Sequence, residues 1–116
     1  MGGSGSNLAA KHCVPCRGGV PPLEGEALDR LAGQLPDWRV VDGHHIEKTF
    51  LTVDFKTALE LVNRIGAVAE KEGHHPDLCF GWGSVKVTLY THKIQGLTES
   101  DFIMGAKVDG IVRKKH

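Results

Sequence analysis

This 116-residue chain has no excess charge of either sign, no long apolar run and no even set of cysteines. Lys plus Arg and Asp plus Glu both number 14, so the formal net charge is zero. A balanced chain exerts no overall pull on a polyanion, which argues against nucleic acid or an anionic membrane surface as its partner. No stretch approaches the ~20 consecutive apolar residues that a spanning helix requires. Residues 1–7 lack the apolar segment of a secretory signal and read as a flexible Gly/Ser leader. Three cysteines cannot all pair within one chain, so no disulfide framework is expected, and a reducing cytoplasm is the simpler compartment.

What is present reads as a single domain, since domains usually run from about 50 to 250 residues. Residues 1–22 are expected to form the leader and an irregular arm rich in Cys, Gly and Pro, and residues 23–116 the folded domain. Leu28, Leu31, Ala32 and Leu35 recur at helical spacing and mark a short amphipathic helix that Pro36 ends. Asp42-Gly43 sits between strand-like residues 38–41 and 45–51 and predicts a tight hairpin, because both turn positions tolerate φ > 0. Phe55, Ala58, Leu59, Val62, Ile65, Gly66 and Ala69 make one apolar stripe along a long helix. Asp54 is placed to cap its start, and Gly73 to end it in a left-handed conformation.

Alternation predicts a strand over 84–91, with Val85, Val87 and Leu89 turned toward that helix; 79–82 reads as the strand before it. Leu97, Thr98, Asp101 and Phe102 combine a capping-box variant with a hydrophobic staple. The helix they open runs through Met104, Val108 and Ile111 into a basic tail at 113–116. The order helix, strand, strand, helix, strand, strand, helix predicts an α+β fold. Its sheet would be four-stranded and mostly antiparallel, with helices packed on one face. The bare sheet face, and the poorly protected edge around Gly81 and Gly83, point to self-association.

Seven histidines are more than a chain of this length usually carries. His74 and His75 lie between the end of the long helix and Pro76, and His92 follows the next strand. Surface loops accommodate isolated histidines without purpose, but Pro76 forces His75 into extended backbone, so this pair sits on a constrained segment. Imidazole titrates near neutrality, so a cluster around one pocket can give and take protons in a single turnover. Zinc is the competing reading. Adjacent histidines seldom aim both rings at one ion, and the sixteen residues between His75 and His92 match no common zinc spacing, so no metal is expected. Glu70, one turn before His74, is placed to orient an imidazole or bond a ligand. Asp101, in the first turn of the last helix, suits the helix dipole as well as chemistry. Trp82 reads as packing or as a pocket border; Trp38 and Phe50 read as core. Cys13-Val-Pro-Cys16 lies in a coil arm without the strand of a thioredoxin-like unit, so a structural reading leads over redox or metal chemistry.

Together these residues carry a resemblance. The run from Glu70 through Gly73, His74 and His75 to Pro76, then Trp82, Thr91-His92 and Asp101, resembles the signature of the pterin-4a-carbinolamine dehydratases. The likeness extends over about 28–111, and the arm around Cys13 and Cys16 is similar to that of bacterial and plant-type members. It implies helices on one side of an antiparallel sheet, a homodimer or homotetramer, and neither metal nor organic cofactor. It also implies a pterin substrate, 4a-hydroxytetrahydrobiopterin or a bacterial analogue, released by aromatic amino-acid hydroxylases and dehydrated to the quinonoid dihydropterin. His74, His75 and His92 take the catalytic positions, and Glu70, Gly73, Pro76, Tyr90, Thr91 and Asp101 the substrate-binding ones. Leu78 and Cys79 depart from the pattern, since many members have aromatics there. The alternative within the same fold is a non-catalytic assembly or transcriptional-cofactor protein. Retention of all three histidines favours the enzyme.

Overall fold

The computed structural model of the chain describes residues 8–14 and 20–113. The elements run α1 (Gly25–Gln34), β1 (Arg39–Val41), β2 (His45–Leu51), α2 (Phe55–Glu72), β3 (Asp77–Phe80), β4 (Ser84–Leu89), a 3-10 turn (His92–Ile94) and α3 (Glu99–Arg113). The sheet has four strands in the order β1-β2-β4-β3, and every neighbouring pair is antiparallel. This is the α+β architecture expected from the pattern.

Local signals account for most of the boundaries. Asp42 and Gly43 both have positive φ, 54° and 64°, and the His44 N–H donates to the Val41 carbonyl at 2.9 Å. The Asp54 side chain accepts from the Thr57 N–H at 2.8 Å and so caps α2. At the other end Gly73 turns left-handed at φ 67°, which a side chain would resist, and aims the chain at His74. Val85, Val87 and Leu89 are fully buried, and the register sets Phe50 opposite Val85 and Ile46 opposite Leu89. Ala58, Leu61, Ile65 and Ala69 of α2 and Phe102, Met104 and Val108 of α3 complete the core, with Trp38 and Phe50 inside it as expected. Asp109 of α3 ties this layer to the sheet, accepting from Lys48 Nζ at 2.8 Å and from Trp38 Nε1 at 3.1 Å.

Three local expectations change. The strand before β4 is 77–80 rather than 79–82, because Gly81 through Ser84 close the turn, with the Gly81 N–H donating to the Ser84 carbonyl at 3.0 Å. That leaves Trp82 exposed on the turn instead of packed. β4 ends at Leu89, since Thr91 pairs with Gly96 in an isolated bridge and His92 opens the 3-10 turn. The apolar stripe of α2 divides: Ala58, Ile65 and Ala69 are buried, whereas Phe55 and Leu59 remain exposed. A helix presents only one face to a flat sheet, and this stripe is wider than that face.

Residues 8–14 of the arm lie against the domain. Leu8 is buried in the core, and Lys107 Nζ donates to the Ala9 carbonyl at 2.8 Å. Residues 1–7, Cys16 with the rest of 15–19, and the tail residues 114–116 lie outside the described residues. Glu72, its side chain only 4% exposed, accepts the Cys13 N–H at 2.9 Å and meets His12 Nδ1 at 3.1 Å. The Cys13 amide first, then His12 and Lys107, hold the Glu72 carboxyl below its usual range. A depressed folded pKa stabilises the protein above the unfolded value of about 4.5 and ceases to do so as pH falls through the lower folded one. Glu72→Gln should therefore melt below wild type at pH 7, and the gap should narrow as pH falls below the unfolded value; a gap of constant size across that range contradicts this. No helix among the described residues is long and apolar enough to cross a membrane.

Candidate active site

The turn after α2 and the turn after β4 bring the three histidines to one place. His74, His75 and His92 line a single cavity of about 250 Å³ together with Gly73, Tyr90, Lys93 and Val14. A larger, apolar hollow of about 510 Å³ lies alongside, walled by Val62, Gly66, Pro76 and Leu78 and touching Glu70 and His75. The smaller cavity holds all three titratable rings and is the candidate site.

Each imidazole has a different setting. His74 is the most enclosed, its side chain 12% exposed, with Nε2 lying 2.6 Å from Oδ1 of the fully buried Asp101. A carboxylate only accepts, so this contact assigns the proton to Nε2 of His74. The other Asp101 oxygen accepts from the Thr91 hydroxyl at 2.8 Å and from the Thr98 N–H at 2.9 Å. One carboxylate therefore both caps α3 through one oxygen and holds the His74 ring through the other. His75 is open to solvent, 57% exposed, and its Nε2 lies 2.6 Å from Oε2 of the still more open Glu70. His92 is exposed at the start of the 3-10 turn, and its ring meets Tyr90 edge-on with centroids 4.3 Å apart.

Among the residues singled out for substrate, Gly73 and Tyr90 line the cavity and Pro76 and Glu70 border the larger hollow. Thr91 and Asp101 lie beneath the rings. The Thr91 N–H donates to the Gly96 carbonyl at 2.8 Å, and its hydroxyl is engaged by Thr98 and Asp101. Trp82 is not among the cavity residues. Leu78, where many family members are aromatic, walls the larger hollow, and Cys79 is exposed.

Sequence reading passed over several contributors. His44 stacks at a tilt on Tyr90 with centroids 4.5 Å apart, and its Nδ1 lies 3.0 Å from that of His45. Gln95, left-handed at φ 51°, donates through Nε2 to the His92 carbonyl at 2.9 Å and lies 3.5 Å from His44 Nε2. The β1–β2 turn thus braces the turn that carries His92. Only the excess of histidine hinted at this; the partners lie some fifty residues apart. Burial pushes the Cys13 thiol up to about 11, with Glu72 adding to the effect, which keeps it protonated and inert near neutrality.

Known proteins resemble this chain in sequence and in fold. The family model described as pterin 4 alpha carbinolamine dehydratase matches residues 21–111. A Rubrobacter xylanophilus protein named for pterin-4-alpha-carbinolamine dehydratase is 62% identical over 104 residues, covering 90% of this chain and 97% of its own. One from Alkaliphilus metalliredigens, named likewise, is 53% identical, covering 90% of this chain and 95% of its own. The crystal structure of a transcriptional coactivator/pterin dehydratase from Brucella melitensis superposes with a TM-score of 0.72 at 34% identity, over 78% of this chain and 98% of that one. Matches of this extent show that the chain belongs to the pterin 4 alpha carbinolamine dehydratase family and is a hydro-lyase.

Proposed function

We propose that the chain dehydrates 4a-hydroxytetrahydrobiopterin, or a close analogue, by histidine acid–base catalysis. The observation that carries this reading is the shared cavity: three imidazoles with different partners surround one hollow large enough for a small flat ligand. Elimination breaks the C4a–O bond while an acid protonates the departing hydroxyl. The N5 electron pair forms the C4a=N5 double bond, and the N5 proton passes to an imidazole or to water. His75 and His92, open to the cavity, handle these protons. His74, gripped by Asp101, orients the substrate or its neighbours. The family resemblance supports a reaction without metal or organic cofactor.

In this reading the product is a quinonoid dihydropterin, returned to the tetrahydro form for aromatic amino-acid hydroxylases in the cytoplasm. Glu70, Gly73, Pro76, Tyr90, Thr91 and Asp101 shape or support the pterin site. The chain works as a homodimer or homotetramer: Leu51, Val53, Phe55 and Leu59 expose apolar surface, and Thr49, Leu51 and Lys86 are exposed on one face of the sheet. Light scattering of the purified protein should then give a mass two or four times that of the chain, and a monomer would remove this part of the proposal. The catalytic part is tested by mixing freshly formed 4a-hydroxytetrahydrobiopterin with the protein and following its absorbance. Decay should outpace that in buffer in proportion to enzyme concentration; decay at the buffer rate would rule the reading out.

A further inference from the structure

Residues 8–14 connect the end of α2 to the start of α3. At one side Glu72 accepts the Cys13 N–H at 2.9 Å, with Lys107 Nζ 3.6 Å from the same carboxylate. At the other, the Val14 N–H donates to Ser100 Oγ at 3.0 Å, while the Ser100 hydroxyl reaches the Val14 carbonyl at 3.4 Å. Cys13 Sγ adds a weak bond to the Ser100 carbonyl at 3.5 Å. The two anchors have telling neighbours. Glu72 stands two residues before His74, and Ser100 immediately precedes Asp101, so the arm spans the two segments that the His74–Asp101 contact joins. Beyond the anchors Val14 is 67% exposed and lines the cavity beside the three histidines.

We propose that this arm is a wall of the pterin site: Glu72 latches it in place, and Val14 meets the carbon substituent of a tetrahydropterin where it leaves the cavity. Glu72 is then a positioning residue that acts through the arm, and Val14 a specificity-determining contact. The inference rests on the dehydratase reading. An apolar tip suits the carbon chain that projects from the bicyclic ring, and a bond network anchored in buried groups holds that tip steadily enough to discriminate. The mainly apolar contact confers affinity rather than proton transfer, so its loss raises KM more than it lowers kcat.

The test has two readouts. Arm docking is read in a Cys16→Ser background by alkylating Cys13 with iodoacetamide at pH 8 and mapping the product by mass spectrometry. Buried, the thiol sits at about 11; freed by Glu72→Ala it returns toward 9.0. The thiolate fraction then rises from about 0.1% to about 10%, and alkylation should quicken by at least about tenfold. Glu72→Gln, which still accepts from the Cys13 N–H, should fall between the two. Site function is read from kcat and KM for 4a-hydroxytetrahydrobiopterin. Val14→Asp alters only an exposed side chain, so it should fold normally, raise KM by about fivefold and leave kcat within about twofold; it carries the test if Glu72→Ala does not fold. Cys13 remaining protected in a folded Glu72→Ala variant overturns the latch. Wild-type KM in Val14→Asp overturns the wall. A wild-type protein that fails to dehydrate the substrate sinks the catalytic reading and this proposal with it, whereas an active enzyme with an indifferent arm sinks this proposal alone.

Discussion

Replacing His75 or His92 by Ala should slow carbinolamine dehydration by about 10²–10⁴-fold with little change in folding stability. Both side chains are exposed, so their removal leaves no buried void and strands no buried partner. The loss therefore reports chemistry. Single-turnover decay of the substrate, with thermal unfolding as the control, separates the two effects. Either variant keeping the wild-type rate would mean that the corresponding ring carries no proton in the rate-limiting step. His74→Ala should differ in kind, because His74 is mostly buried and its loss removes a partner from the fully buried Asp101 carboxylate. Rate and stability should fall together in that variant.

Asp101→Ala is expected to be the most damaging single change to the protein as a whole. It leaves the Thr91 hydroxyl with Thr98 alone, strands the Thr98 N–H, removes the cap of α3 and frees the His74 ring. Breaking a buried network of this kind costs about 2–4 kcal/mol, or on the order of 10–20 °C in Tm for a domain of this size. Asp101→Asn keeps the volume and one acceptor, so it should fold, but its amide cannot satisfy Thr98 and His74 as the carboxylate does. Its dehydration rate should drop by at least about tenfold with a smaller loss of stability. An Asn variant with full activity would show that the carboxylate serves only the helix cap.

The parts of this molecule that were legible in its sequence are those whose causes are local. Asp54 and Gly73 bound α2 through their own backbone preferences, and Asp42-Gly43 makes its turn with both residues at positive φ. Val85, Val87 and Leu89 announce their buried face by alternation alone. The shift of β3 to 77–80 was not legible, because its register depends on β4, where Phe80 pairs with Val85. Nor was the placing of His92 on a 3-10 turn, which depends on the Thr91–Gly96 bridge and on Gln95. At the site, adjacent histidines before a proline marked the place. The Asp101 grip on His74 spans 27 residues, and the Glu72 latch spans 59 to Cys13, distances over which no sequence periodicity speaks. For that reason Asp101 looked equally like a helix-dipole residue and a chemical one, and Glu72 drew no reading at all.

The idea that this chain works by passing protons among clustered imidazoles is tested most directly by removing all of them at once. The His74→Ala/His75→Ala/His92→Ala variant, shown by circular dichroism to be folded, is mixed in a stopped-flow instrument with newly generated 4a-hydroxytetrahydrobiopterin. Decay indistinguishable from that in buffer is expected, against a clear acceleration by the wild-type protein. Acceleration by the folded triple variant equal to that of the wild type would contradict it.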